Sequence, residues 1–276
     1  MGDYKENQDL LHGTRGTAGP LSHVRIVLVE PSHPGNIGSA ARAMKVMGLS
    51  RLCLVRPRRF PDPEAVALAS GAEDLLGEAL VVDTLPEALQ GCVRVYGTTA
   101  RDRHVAWPQG DARAAAVDAW TLARDTGPVA FLFGRERTGL TNAELDLCQM
   151  LVQIPTGPVY ASLNLAQAVQ VLAYELQMAG RQCGIPAPGL PKAGLATVAE
   201  RERFYVHLQE VLLGSGFLQP PREIHMMRRL RRLFDRAMPD SGEVEILRGI
   251  LTEIQRWAGG QHTGQSSVME DRSGDS

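Results

Sequence analysis

The strand-like run Val24-Arg25-Ile26-Val27-Leu28-Val29 passes through Pro31, Pro34 and Gly35 into a helical repeat of Ile37, Ala40, Ala41, Met44 and Met47 that Gly48 closes. Leu52-Cys53-Leu54-Val55 then reads as a second strand. Strand, helix and strand in so short a span mean a crossover connection, hence parallel strands in a sheet covered by helices. Asn36 is the natural N-cap of that helix. The alternation continues. Pro63 to Leu76 is helical material broken at Ser70-Gly71, Val93 to Tyr96 is a strand ending at Gly97-Thr98-Thr99, and Arg113 to Arg124 is an amphipathic helix. Pro128 to Phe133 is the most strand-like run in the chain, and Thr141 with Glu144 three residues on predicts a capping box opening a short helix to Cys148. After a last strand at Leu151 to Ile154, Ser162 caps a helix running to about Ala179. Residues 22–182 therefore read as one α/β domain with a parallel sheet, in which ligands bind beyond the carboxyl ends of the strands.

Past residue 182 the chain changes class. Cys183 to Gly194 holds three prolines and three glycines in twelve residues, so 183–196 reads as a linker that lets the carboxyl-terminal part move as a unit. Thr197 to Leu213, Pro220 to Met238 and Ser241 to Trp257 are helical stretches, giving a small all-α domain over 197–258. The polar stretches 1–21 and 259–276 read as disordered tails. The middle helix carries Arg222, Arg228, Arg229, Arg231, Arg232 and Arg236 against Glu223 and Asp235 alone, although the whole chain of 276 residues has a net charge of −2. Like charges recur three residues apart there, at some cost to the helix, which points to a polyanion. A solvated face is the plain alternative. Cys53, Cys92, Cys148 and Cys183 lie tens of residues apart, which argues against zinc and for reduced thiols in a cytoplasmic protein. No apolar leader or span is visible, so no membrane role is expected.

Three polar segments come after buried elements in the same way. In the first, Arg42 stands six residues after Asn36, so a planar cation suited to phosphate or carboxylate and an amide share one helix. In the second, Gly134-Arg135-Glu136-Arg137-Thr138-Gly139-Leu140 brings four polar residues between two glycines at a strand end, where backbone donors are exposed. Glu136 is placed to brace Arg42 or Arg135, or to face a ligand. The third is Ser162-Leu163-Asn164-Leu165-Ala166-Gln167-Ala168-Val169, a helix mouth suited to an anionic or polar ligand. Each also fits a plain reading: a solvated helix arginine, a surface turn with local ion pairs, a capped core helix.

Taken in order, with Gly35-Asn36-Ile37-Gly38-Ser39-Ala40-Ala41-Arg42 as the first, these three motifs resemble the SpoU/TrmH class of SPOUT methyltransferases. The resemblance implies transfer of the methyl group of S-adenosylmethionine to a ribose 2′-hydroxyl. The opening at Val29-Glu30-Pro31-Ser32-His33 and the helical ending are similar to the branch that acts on tRNA, at nucleotide 32 of the anticodon loop, as a homodimer. It implies a sheet ending in a trefoil knot built from Gly134 to Leu140 and Ile154 to Leu163. Cofactor contacts are implied at Thr98, Thr99, Ala100, Gly134, Ile154, Ala161, Ser162 and Leu163, largely through backbone groups. Gly134 would be a point where any side chain intrudes on the cofactor. Arg42 takes the family's key catalytic position. A guanidinium, with a pKa above about 12, is a poor general base, so it orients a phosphate and stabilises charge on the 2′-oxygen. Asn36, Ser162 and Asn164 position the ribose, Glu136 braces the arginines, and Arg228, Arg229, Arg231 and Arg232 bind tRNA. No metal is implied. Where relatives often carry an Asn-Pro-acidic run before Tyr160, this chain has Thr156-Gly157-Pro158-Val159. The same chemistry on ribosomal RNA and a non-catalytic RNA-binding module are the alternatives. A nicotinamide oxidoreductase fits poorly, because the first turn lacks G-x-G-x-x-G and Glu30 stands at the strand end.

Overall fold

A computed structural model describes residues 19–100, 108–157, 162–182, 194–219, 221 and 223–264. Seven strands form one sheet: β1 (Val24–Val29), β2 (Arg51–Val55), β3 (Leu80–Val82), β4 (Arg94–Thr98), β5 (Gln109–Asp111), β6 (Val129–Phe133) and β7 (Met150–Gln153). Their order is β3-β2-β1-β6-β4-β7-β5, and every pairing is parallel. The central strands β1 and β6 are buried on both faces, as their unbroken apolar sequences require. The two edge strands leave little trace in the sequence: β5 is the polar tripeptide Gln109-Gly110-Asp111, and β3 keeps Leu80 and Val81 half exposed.

The two faces of the sheet are covered unequally. Ile26, Leu28, Leu54, Phe131 and Phe133 point to one side, against α1 (Pro34–Val46), α2 (Pro63–Ala69), α3 (Glu73–Gly77), α5 (Ala112–Asp125) and α7 (Leu165–Gln182). On the other side Val27, Val29, Cys53, Val95 and Leu132 are covered, among the described residues, by two single-turn helices, α4 (Leu85–Ala88) and α6 (Asn142–Leu145), by loop residues such as Leu140 and Cys148, and by Val198 from the carboxyl-terminal helices. Those helices are α8 (Val198–Gly214), α9 (Glu223–Ala237) and α10 (Ser241–Gly264), packed around Phe204, Tyr205, Leu208, Met227, Val244 and Leu251. Among the described residues no helix is long and apolar enough to cross a membrane.

The linker composition points to a freely moving domain, and the contacts correct that. Val198 N–H donates to Cys92 O at 2.8 Å. Arg201, 4% exposed, donates to Ala196 O at 2.6 Å and to Val93 O at 3.0 Å, so a buried guanidinium ties α8 to the start of β4. Arg201 keeps Ala196 O and the Asp235 carboxylate, 3.4 Å away in α9, but pulling the domain away would strip this buried charge of its Val93 partner, which is costly. Residues 183–193 themselves, both tails beyond 19–264, and Arg222 lie outside the described residues.

Two helix starts also differ from expectation. Helix α1 begins at Pro34 with His33 as N-cap, so Asn36 is its third residue and not its cap. Proline fits the first turn because it has no N–H to leave unpaired. Helix α7 begins at Leu165, and the cap is Asn164 in place of Ser162. The Asn164 Oδ1 accepts from Ala166 N–H at 2.9 Å, while Asn164 N–H donates to Gln167 Oε1 at 3.3 Å. That reciprocal pair satisfies two end donors where Ser162, three residues before the helix, reaches none of them.

Candidate active site

A cleft of about 400 Å³ opens at the carboxyl ends of β4, β6 and β7. Thr98, Thr99 and Ala100 leave β4 along one wall, Gly134 to Leu140 leave β6 along another, and Ile154, Thr156, Ser162 and Leu163 close it. Seven residues expected to contact a cofactor thus line one space; Ala161 lies outside the described residues, as does the stretch 158–161 through which a knotted path would run. Thr98 Oγ1 donates to Leu132 O at 2.8 Å and Thr99 N–H donates to Val152 O at 3.0 Å, so this wall is tied to both neighbouring strands.

The β6 loop is shaped by Arg135, and its brace is not Glu136. Arg135 Nε donates to Glu30 Oε2 at 2.8 Å, and its two terminal nitrogens donate to Glu144 at 3.1 and 3.0 Å. Glu30 also pairs with Arg56. Arg135 O accepts from Gly139 N–H at 2.9 Å, which closes the turn. Hydrogen bonds to Arg135 lower the Glu30 pKa, and the same contacts raise that of Arg135. Glu30 and Arg56 both hold positive φ, +47° and +44°, a strain that non-glycine residues tolerate only where surrounding contacts enforce it. Sequence reasoning missed this strut. The available signal was an acid and a base placed directly after adjacent strands, together with the correctly read capping box of Glu144 and Thr141.

Gly134 also has a different reason from the expected one. A Cβ there would lie 2.2 Å from Gly139 C and 2.3 Å from Leu140 N, so its own loop, and not a ligand, leaves no room.

Glu136 turns instead toward the start of α1. Its carboxylate accepts from Ser32 N–H at 3.1 Å, Ser32 Oγ at 2.8 Å, His33 N–H at 3.2 Å and Asn36 Nδ2 at 3.0 Å. It supplies from a distant loop the acceptor that α1 lacks locally, at the helix end that favours negative charge. Asn36 Oδ1 in turn accepts from Asn164 Nδ2 at 2.9 Å. One line, Glu136 to Asn36 to Asn164 to the first turn of α7, therefore joins all three motifs. Its direction is self-consistent: Asn164 Oδ1 is committed to a backbone N–H, so its amide nitrogen donates onward, and each amide keeps a second N–H.

Burial pushes the Glu136 carboxyl up, but hydrogen bonds from Asn36, its own backbone and Ser32 outweigh it and hold the pKa below the usual 4.5. A depressed carboxyl stabilises the folded form above the unfolded value, and that contribution disappears as pH falls through the folded one. We expect Glu136→Gln to flatten the dependence of unfolding free energy on pH below 4.5, measured by denaturant titration. A slope equal to wild type would show that Glu136 does not hold the motifs together.

The arginines expected at the site lie apart from the cleft. Arg42, in the third turn of α1, is exposed and does not line the cleft, and its side chain makes no hydrogen bond to another described residue. In an ideal helix six residues are about 9 Å along and 120° around the axis, so sharing α1 does not bring Arg42 and Asn36 to one space. In α9 the like-charge cost is relieved inside the protein. Arg228 forks onto Asp146 at 2.9 to 3.1 Å, while Arg231 pairs with Glu202 and lies 4.6 Å over the Tyr205 ring. Arg229 is exposed, and Arg232 lines a small cavity of about 190 Å³ with Arg94 and Arg236.

A parallel sheet with Gly- and Asn-bearing motifs joined beside one cleft is the frame of a methylase class. The SpoU rRNA Methylase family model matches residues 23–174, and the chain belongs to the SpoU methylase family. A second model, the tRNA methyltransferase TrmJ C-terminal domain, matches residues 199–263. The tRNA (cytidine/uridine-2′-O-)-methyltransferase TrmJ of Cronobacter sakazakii is 52% identical over 238 residues, covering 85% of this chain and 97% of that one. The tRNA (cytidine/uridine/adenosine-2′-O-)-methyltransferase TrmJ of Pseudomonas aeruginosa is 51% identical over 252 residues, covering 87% and 96%. The crystal structure of TrmJ from Z. mobilis ZM4 superposes with a TM-score of 0.72 at 37% identity, covering 84% of this chain and 98% of that one.

Proposed function

We propose that this chain transfers the methyl group of S-adenosylmethionine to the ribose 2′-hydroxyl of cytidine or uridine at nucleotide 32 of tRNA, in the cytoplasm. The observation that carries the reading is the hydrogen-bonded line joining Glu136, Asn36 and Asn164 beside the cleft. The cleft suits the cofactor. Its volume of about 400 Å³ lies within the range of small-molecule sites, Leu140, Leu145, Val152 and Leu165 offer an apolar wall for a base, and Ser162 brings a hydroxyl. Gly139, at φ +69° with open space where a Cβ would stand, leaves the loop backbone accessible.

When bound, the sulfonium supplies a methyl group already activated for transfer. The chain's own part is positioning and charge. The loop 134–140 and the β4 and β7 ends hold the cofactor, and the second N–H of Asn36 and of Asn164 orients the ribose. Arg42 grips the nucleotide's phosphate and stabilises negative charge as the 2′-oxygen attacks, its proton passing to a phosphate oxygen or water. Arg42 lies outside the cleft of its own chain, so the site is completed by a homodimer. Packing through α1 and α7, which lie side by side, would cover the exposed Val46 and Tyr174 and bring one protomer's Arg42 to the other's cleft. The domains of this reading are 22–182 for chemistry and 197–258 for tRNA, joined by 183–196, with a tail at 1–21; α10 runs on to Gly264, into the stretch 259–276 expected as a tail.

Calorimetry with S-adenosylmethionine and with a nicotinamide nucleotide, followed by mapping of 2′-O-methyl groups in tRNA incubated with the protein, tests the proposal. Binding of the first alone and modification at nucleotide 32 are expected. Absence of S-adenosylmethionine binding, or methylation only of ribosomal RNA fragments, would overturn it. In tRNA-binding titrations over a range of salt concentrations, Arg229→Gln should flatten the log–log salt dependence by up to about one unit.

A further inference from the structure

We infer that Arg228 is a positioning residue for the cofactor cleft, holding through Asp146 the short helix that forms part of the cleft wall. Asp146 ends α6. Its N–H closes that helix onto Asn142 O at 2.9 Å, and its carboxylate receives the Arg228 fork, Nε at 3.0 and 3.1 Å and Nη2 at 2.9 Å. One residue earlier, the buried Leu145 lines the cleft. One before that, Glu144 grips both terminal nitrogens of Arg135, the residue that shapes the loop 134–140. A helix of four residues has no stability of its own, so its place is set by what holds its ends. The Thr141 and Glu144 capping box holds the first end; at the second, beyond the buried Leu145 and Cys148 and the bond of Gln149 N–H to Val95 O, Arg228 is the side-chain anchor reaching in from α9.

The side chains of this pair are only 31% and 25% exposed, and the contact is a bidentate fork, the geometry in which an arginine–carboxylate pair is strongest. Loss of Arg228 would not undock the helical domain, because Arg201 and Val198 still tie α8 to β4. The effect is therefore local to α6. A residue that the charge pattern assigns to RNA alone thus links the helical domain to the cleft. By the reciprocity of coupled sites, any RNA phosphate that takes Arg228 from Asp146 must change cofactor affinity.

The inference rests on the cleft being the S-adenosylmethionine site, and the test separates the two. In the full chain without RNA, Arg228→Gln and Asp146→Asn should each weaken S-adenosylmethionine binding about fivefold or more by calorimetry, the lower end of typical site coupling. The double variant should be no weaker than either single one. The exchange Arg228→Asp with Asp146→Arg should restore affinity. In turnover, Asp146→Asn should raise KM for S-adenosylmethionine more than it lowers kcat at saturation. Single variants that bind as wild type does, losses that add, or an exchange that restores nothing would overturn the role of Arg228. If the unmodified chain binds no S-adenosylmethionine, the reading of the cleft falls, and this inference with it.

Discussion

Arg42→Ala is expected to lower kcat for methyl transfer at least about a hundredfold, the usual effect of removing one group that stabilises developing charge, with S-adenosylmethionine affinity close to wild type. Two observations separate these effects. The Arg42 side chain is exposed on α1 and bonds to no other described residue, so its removal leaves no buried group unpaired and the fold intact. It also lies outside the cleft of its own chain, and in the proposed dimer it reaches the partner's cleft to meet the nucleotide's phosphate, so cofactor affinity is expected to hold. Arg42→Lys keeps the charge but not the planar two-point fork, and should recover only part of the loss. Single-turnover kinetics with saturating cofactor, beside calorimetry, read the two quantities apart. Near-normal turnover in Arg42→Ala would remove Arg42 from the chemistry, and a matching fall in cofactor affinity would move it into the cleft.

The sequence resolves best those elements whose cause is local. The strand Val24–Val29, the break at Ser70-Gly71 and the capping box at Thr141 are all set by residues within one turn or one strand of each other. What it hides are partners supplied from afar. Asn36 looks like a cap because caps are usually local, yet the acceptor for the start of α1 is Glu136, a hundred positions away. The α9 arginines look unpaired for the same reason: Asp146 and Glu202 lie 82 and 29 residues from the side chains they neutralise. Composition misleads in the same way at 183–194, where a Pro- and Gly-rich sequence precedes helices that Val198, Arg201 and Arg228 tie to the sheet domain. The cleft residues were legible by another route. A parallel sheet confines ligands to its carboxyl edge, so the loops after β4, β6 and β7 were the places to look.

Gly134→Ala is the second change with a large expected effect, and it tests whether the loop's own packing makes the cleft. The added Cβ would stand 2.2 Å from Gly139 C, 2.3 Å from Leu140 N and 2.7 Å from Gly139 O. All three are backbone atoms, which cannot rotate aside as a side chain would. The loop would have to shift, drawing Arg135 away from Glu30 and Glu144, which together hold it at 2.8 to 3.1 Å. Overpacking of this kind costs about 1–3 kcal/mol, and a rigid neighbour puts Gly134→Ala at the upper end. Cofactor affinity should fall at least as far, because the displaced loop is a wall of the cleft. Gly139→Ala is the control in the same loop: its Cβ would meet nothing within 4 Å, and only its φ of +69° resists, at about 1–2 kcal/mol. The expected order in calorimetry is therefore wild type, then Gly139→Ala, then Gly134→Ala far weaker, with denaturant unfolding in the same order. If Gly134→Ala binds S-adenosylmethionine as tightly as Gly139→Ala does, the crowding of Gly139 and Leu140 is not what shapes the cleft.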